Sequence, residues 1–306
     1  MKILSSPPVL IISVTNDCNL SCKGCYACSQ HRDKSDEMDI LEISRITDEA
    51  IALGVAVILI AGGEPLMKKG ILDLPKEHPD TLFVLFTNGL LLGAAEKDSA
   101  KNVVPIISIE GGRATTDKRR GEGMFDAVMA VMDRLDKRGR LFGASITLTS
   151  SNYDEIIKSD YLDKLESKGC RTVFLIEYVP FQDDFSLCLT DAQKKDLRLS
   201  EDALVKKYNM LIVSLPGDEE RYGGCLASGR GFVHISSTGS LEACPFAPYS
   251  DINVKNMPLK EALKSKLLRQ IRNNHHLLKE SRGGCALIEN KGWIKTLTIT
   301  ENQNSK

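Results

Sequence analysis

Cys18, Cys22 and Cys25 stand in the run Asp17-Cys18-Asn19-Leu20-Ser21-Cys22-Lys23-Gly24-Cys25-Tyr26, a C-x3-C-x2-C spacing that directly follows the apolar residues 9–14. Three thiolates on one short loop can hold three corners of an iron–sulfur cube, which leaves the fourth iron without a protein ligand. A structural zinc site wants four protein ligands and no vacancy. Half of a zinc site or a redox loop has the same local look. An iron with an open position can bind and cleave something, so the neighbouring segments become the next question.

The run Ala61-Gly62-Gly63-Glu64-Pro65 follows a second apolar stretch. Paired glycines let the backbone approach a ligand closely, and a carboxylate beside them can meet an ammonium group. A plain strand-to-helix turn with proline at the first helical position reads the same way. The chain has nine cysteines, an odd and clustered set. In a reducing compartment clustered cysteines point to metal ligands or catalysis rather than disulfides. Cys225, Cys244 and Cys285 stand beside glycine- or proline-marked turns in the last third, and Cys28, Cys170 and Cys188 are left over. Cys170 and Cys188 read as core residues, and His31 and His78 as surface residues.

These groups need elements to position them. Strands are expected at residues 9–14, 55–60, 81–86, 103–109, 141–148 and 172–179, with amphipathic stretches near 36–53, 68–78, 90–100, 123–138 and 153–168. Five such repeats feeding a sixth strand imply a parallel sheet covered by helices. The strand runs are almost wholly apolar, as strands buried on both faces should be. The expected fold is α/β, a partial (β/α)6 TIM-like barrel. Ligand sites in such sheets lie at the C-terminal strand ends. The cysteine loop, Gly62-Gly63-Glu64, Thr87-Asn88-Gly89, Ser108-Ile109-Glu110-Gly111 and Glu177-Tyr178-Val179-Pro180 all fall there.

From about residue 220 the texture changes. A hairpin is expected across 232–235 and 240–243 with Thr238-Gly239 as its turn, then a helix near 258–273 with His275-His276 beyond it. The expected division is a barrel over 1–215, including a linker helix at about 190–208, and a small α+β module over 216–306. With 306 residues, 42% hydrophobic and 26% charged, the chain has the composition of an ordinary globular protein. A formal net charge of −1 gives no basic field for nucleic acid. No apolar run reaches the roughly 18 residues of a spanning helix, and the proline-broken start does not read as a signal peptide. The expected location is therefore cytoplasmic. The last residues, 297–306, are polar and expected to fray.

The four motifs in order, C-x3-C-x2-C, Gly-Gly-Glu-Pro, Thr-Asn-Gly and Ser-Ile-acid-Gly, resemble the radical S-adenosylmethionine (radical SAM) superfamily over roughly residues 9–180. The resemblance implies that Cys18, Cys22 and Cys25 ligate a 4Fe–4S cluster whose open iron is chelated by the methionine moiety of S-adenosylmethionine. It implies that Gly62, Gly63 and Glu64 form the methionine site, with Thr87, Asn88 and Ser108 near the ribose or substrate, and Tyr178 near the adenine. Reductive cleavage then yields methionine and a 5′-deoxyadenosyl radical that takes hydrogen from a substrate, with the protein excluding water and aiming the radical. An aromatic residue usual before the third cysteine is replaced here by Gly24, so Tyr26 is the candidate for adenine packing. Arg119 or Arg120 is a candidate to neutralise a carboxylate.

Cys225, Gly239 and Cys244 match the opening of a SPASM or twitch module, with Cys285 as a further ligand. The later C-x2-C pair of a full SPASM module is absent, so a reduced, twitch-like module with one auxiliary 4Fe–4S cluster is implied, its fourth ligand open among His234, Cys28, His275 and His276. The implied function is oxidation of a peptide or small metabolite, anaerobically, with electrons from a flavodoxin- or ferredoxin-type donor. Alternatives are an epimerase or methyltransferase with a cysteine hydrogen donor and, in another class, a non-catalytic electron carrier. The Gly-Gly-Glu segment argues against the carrier, which has no use for a methionine site.

Overall fold

A computed structural model of the chain describes residues 7–30, 34–95, 99–180, 184–215, 224–278 and 285–299. His31, the Gly283-Gly284 pair and the tail beyond 299 lie outside the described residues. The strands are β1 (Val9–Ser13), β2 (Val57–Ala61), β3 (Leu82–Thr87), β4 (Val103–Ile109), β5 (Gly143–Leu148), β6 (Thr172–Glu177), β7 (Leu211–Leu215), β8 (Phe232–Ile235) and β9 (Leu241–Glu242). They form one curled sheet, a half-barrel, in the order β7-β6-β5-β4-β3-β2-β1-β8-β9. Every neighbouring pair is parallel except β8 and β9.

The helices are α1 (Tyr26–Ser29), α2 (Ile40–Ala52), α3 (Leu74–Glu77), α4 (Leu92–Ala95), α5 (Arg113–Arg120), α6 (Met124–Lys137), α7 (Tyr153–Ile157), α8 (Tyr161–Ser167), α9 (Asp191–Lys207), α10 (Leu259–Ala262), α11 (Lys266–Asn273), α12 (Ala286–Glu289) and α13 (Lys291–Ile299). Strand side chains alternate between two apolar layers. Phe83 and Leu85 of β3 join the large layer with α2 and α6, through residues such as Ile43, Ile46, Val128 and Met132. Val84 joins Val104 and Ile106 in a smaller cluster on the opposite, concave face, with Phe86 and Phe174 packed against it. None of the described helices is long and apolar enough to cross a membrane.

The six expected strands and the hairpin are present, with β7 as an addition beyond β6. The sequence between 180 and 222 reads as linker because its apolar run is short, yet Thr172 to Ile176 offer β7 a parallel partner. Residues 113–120, outside the amphipathic stretches expected from the sequence, are helical. Their N-terminus is satisfied from far along the chain: Glu155 accepts from Gly112 N at 2.7 Å and from Thr115 Oγ1 at 2.6 Å. The single helix expected near 258–273 is two, because Ser265 starts a second one, accepting from Leu268 N at 3.0 Å and donating to Asp251 at 2.6 Å.

The hairpin of the C-terminal segment is fused to the barrel. β8 pairs with β1 from Val9↔Phe232 to Ile12↔Ile235. A buried polar chain fastens the joint: Ser13 Oγ lies 2.8 Å from His234 Nε2, and His234 Nδ1 lies 2.8 Å from Glu242 Oε2. Both ring nitrogens are thereby engaged with protein. Removing one partner of a buried pair leaves the other without compensation, at a cost of about 3–5 kcal/mol. His234→Ala is therefore expected to lower the urea midpoint of unfolding by an amount equivalent to about 3 kcal/mol. An unchanged midpoint would show that this link contributes nothing.

Candidate active site

The cysteine loop leaves β1 under close backbone control. Val14 N donates to Ala61 O at 3.0 Å. Thr15 Oγ1 and Asn16 N both donate to Glu37, at 2.9 and 2.5 Å. Gly63 N then donates to Thr15 O at 2.8 Å, and Glu64 N to Asp17 O at 2.7 Å. The loop after β2 thus lies directly on the loop after β1. A Cβ on Gly62 would stand 2.4 Å from Thr15 O, and one on Gly63 2.2 Å from Asp17 O. The paired glycines admit the neighbouring backbone of the cysteine loop, in addition to any ligand.

Glu64 is wholly buried, and its carboxylate is crowded with donors. Thr87 Oγ1 and Asn88 N each donate at 2.8 Å, and Leu66 N at 3.1 Å. Burial pushes its pKa up, while those donors pull against the shift, and so does the more distant Arg120 guanidinium. Asn88 reaches the cysteine loop from the other side, its Nδ2 donating to Asn19 Oδ1 at 2.7 Å. Thr87 and Asn88, expected beside a ribose or substrate, spend these contacts holding Glu64 and Asn19.

A second buried carboxylate, Glu110, follows β4. Arg119 Nη1 stands 2.6 Å from its Oε2 and Arg120 Nη2 2.5 Å from its Oε1. Both contacts are ionic pairings rather than aligned hydrogen bonds. Arg119 also clasps the cysteine loop: its carbonyl accepts from Lys23 N at 2.9 Å and its Nε donates to Lys23 O at 3.1 Å. Burial pushes the Cys22 thiol up, and the Arg120 guanidinium, then that of Arg119, pull it down. Burial likewise raises Cys18. A thiol must lose its proton to ligate a metal, so these cations favour the ligating form of Cys22.

Cys18, Cys22 and Cys25 are half-buried, and Cys28 is exposed on α1. Burial, then the other three thiols with Cys25 foremost, push Cys28 up to about 11. Thiolate donors set on one loop, beside two guanidiniums, fit an iron–sulfur cluster by their chemistry. Among the described residues, no three His, Cys, Asp or Glu side chains converge closely enough for a single metal ion.

A profile for the Radical SAM superfamily matches residues 12–159, the segment that carries every one of these contacts. Residues 12–159 are a radical SAM domain. The chain is 27% identical to the AdoMet-dependent heme synthase of Methanosarcina barkeri over 318 residues, 94% of this chain and 90% of that one. It is 25% identical to the GTP 3′,8-cyclase of Clostridium perfringens over 288 residues, 86% and 87% of the two chains. In fold it is similar to Streptococcus suis SuiB bound to S-adenosylmethionine, with a TM-score of 0.75 at 18% identity, covering 94% of this chain and 76% of SuiB. A 4Fe–4S cluster and S-adenosylmethionine are the cofactors standard for this superfamily.

Other expected residues distribute as follows. Ser108 lies on β4 opposite Ser145 of β5. Tyr178 caps β6, and its Cε2 lies 3.5 Å from where a Gly24 side chain would begin. The ring therefore lies in van der Waals range of position 24. The Tyr26 ring instead meets Phe246 edge-on at 4.9 Å between centroids, and Gln30 Nε2 donates to Pro245 O at 2.7 Å. Cys225, Cys244 and Cys285 are all buried, before β8, just past β9 and at the start of α12. Glu37, Asn19 and Glu155 were not singled out from the sequence; each acts through a partner far along the chain, and no local pattern marks them.

Two substitutions test this geometry. Gly63→Ala forces a methyl against Asp17 O and is expected to cost about 1–3 kcal/mol of stability, read by urea unfolding. Arg120→Met removes a cation beside Cys22, so the thiol pKa rises and the thiolate fraction at pH 8 falls. Alkylation of Cys22 by iodoacetamide in the metal-free chain is then expected to slow about two- to tenfold. Equal alkylation rates would remove the electrostatic role of Arg120.

Proposed function

We propose that this protein reductively cleaves S-adenosylmethionine and abstracts hydrogen from a substrate seated in the concavity of the half-barrel. The observation that carries the reading is the locked pair of loops: three thiols on one, Gly62-Gly63-Glu64 on the other, joined by Gly63 N to Thr15 O and Glu64 N to Asp17 O. Cys18, Cys22 and Cys25 would hold the cluster. A cluster bound there would supply the electron for reductive cleavage of S-adenosylmethionine to methionine and a 5′-deoxyadenosyl radical.

The chain's own groups divide the remaining work. Glu64, tied by three donors, fixes the segment whose Gly62 and Gly63 backbone meets the methionine amino group. Arg119 and Arg120, both gathered on Glu110, provide positive charge for a carboxylate. Tyr178 provides the aromatic face for adenine beside Gly24. Ser108 sits on the strand whose neighbouring residues line the concave face. A flavodoxin- or ferredoxin-type protein supplies the low-potential electron.

Cys225, Cys244 and Cys285, in a twitch-like segment running from about residue 216, form the ligand set for an auxiliary cluster that assists oxidation or substrate binding. His234 is an unsuitable fourth ligand because Ser13 and Glu242 hold its two nitrogens. The substrate is a small molecule or a peptide: relatives matched over most of both chains are named for heme and GTP chemistry, and SuiB, alike in fold, has been solved with its precursor peptide SuiA.

Incubated anaerobically with dithionite and S-adenosylmethionine, the reconstituted protein is expected to release 5′-deoxyadenosine, and Cys22→Ala to reduce that release to background. Release undiminished in Cys22→Ala would overturn the reading. Iron analysis should give about eight irons per chain for two 4Fe–4S clusters, and about four after Cys225, Cys244 and Cys285 are changed to alanine. A deuterated substrate that passes its label into 5′-deoxyadenosine identifies both the substrate and the hydrogen removed.

A further inference from the structure

The cysteine loop carries one thiol more than its proposed cluster uses. Cys18, Cys22, Cys25 and Cys28 fall within eleven residues. Cys25 is the residue before α1 and Cys28 lies on that helix, three positions later. Residues three apart on a helical turn share a face, which sets Cys28 beside Cys25, the thiol that acts on it most strongly. Cys18 and Cys22 are its next electrostatic neighbours. Cys28 therefore belongs with the N-terminal thiols and is not placed as a ligand for Cys225, Cys244 and Cys285.

The helix that bears it is weakly seated. α1 is four residues long and buries none of them. Its fastenings lie at its margins: Ser29 Oγ donates to Cys25 O at 2.9 Å, Gln30 Nε2 reaches Pro245 O, and the Tyr26 ring rests on Phe246. Small displacements of Cys28 thus break no apolar packing. An exposed thiol on a shallow helix, beside three proposed ligands that leave one iron open, has both the donor chemistry and the freedom to reach that iron.

We infer that Cys28 is an exchangeable fourth ligand of the N-terminal cluster, closing the open iron when S-adenosylmethionine is absent and yielding to it on binding. This rests on the cluster assignment proposed above. The exchange is a substitution without change of oxidation state. One iron–sulfur bond to Cys28 breaks, and bonds to the methionine amino and carboxylate groups form. The ammonium gives up one proton on binding and the freed Cys28 thiolate takes one up, so the proton count is unchanged. The consequence is a resting cluster shielded from loss of its fourth iron, and a cofactor affinity reduced by the fraction of chains in the closed state.

The test compares the reconstituted full chain with Cys28→Ala and Cys28→Ser under anaerobic conditions. On addition of ferricyanide without S-adenosylmethionine, Cys28→Ala is expected to convert to the 3Fe–4S form several-fold faster, followed by its electron paramagnetic resonance signal. Saturating S-adenosylmethionine should abolish the difference. Equilibrium dialysis should show S-adenosylmethionine binding about five- to tenfold tighter to Cys28→Ala, with Cys28→Ser between it and the natural chain. Equal conversion rates and equal affinities would overturn the inference and leave the cluster assignment standing. A chain that takes up no iron on this loop would overturn both.

Discussion

The carboxylate of Glu64 is buried with three donors from two strand ends, and the placement of the cysteine loop depends on it. Taking a carboxylate out of water is costly unless its oxygens are met by hydrogen bonds. Here Thr87 Oγ1 and Asn88 N come from the end of β3, and Leu66 N from the turn after β2. Those bonds hold the turn against the sheet, and the turn in turn holds Thr15 and Asp17 through its own amides. Without side chains at positions 62 and 63 the two loops approach to hydrogen-bonding distance. With side chains there they could not. Three strand ends are thus fastened around one carboxylate, and the thiols inherit their positions from it.

Glu110 repeats the device with opposite charge around it. Two guanidiniums collect on one buried carboxylate, and one of them clasps Lys23 inside the cysteine loop. Breaking a buried ion pair is expensive, even where forming it adds little. The arrangement therefore specifies position more than it stabilises the fold. It also leaves cationic character beside Cys22, where the two guanidiniums oppose the upward push of burial on the thiol. The outer edge of the same site is closed from the far end of the chain, where Pro245 and Phe246 touch Gln30 and Tyr26. The cysteine loop consequently lies between two anchors separated by more than a hundred residues.

Much of this was legible in the chain. The apolar strand runs, their alternation with amphipathic helices and the polar motifs after each strand are local patterns, and the sheet follows them in order. The helix at 113–120 was hidden because its N-terminal support, Glu155, comes from another element. The break near Ser265 was hidden because Asp251 helps to fix it. Residues whose role is to satisfy a distant backbone group carry no periodic signature; Glu37 and Asn19 belong to that class.

By itself the sequence determined the kinds of chemistry available: thiols at C-x3-C-x2-C spacing, a Gly-Gly-Glu turn, and the strand repeats that bring their ends to one edge. Each of these is written in consecutive residues, where side-chain type and period act directly on local conformation. Only the tertiary structure decided what the glycines admit, that Thr87 and Asn88 serve Glu64, that His234 joins Ser13 to Glu242, and that the Tyr178 ring lies against Gly24. Those outcomes depend on which buried polar groups find partners across the fold, and a partner many residues away is chosen by packing in three dimensions.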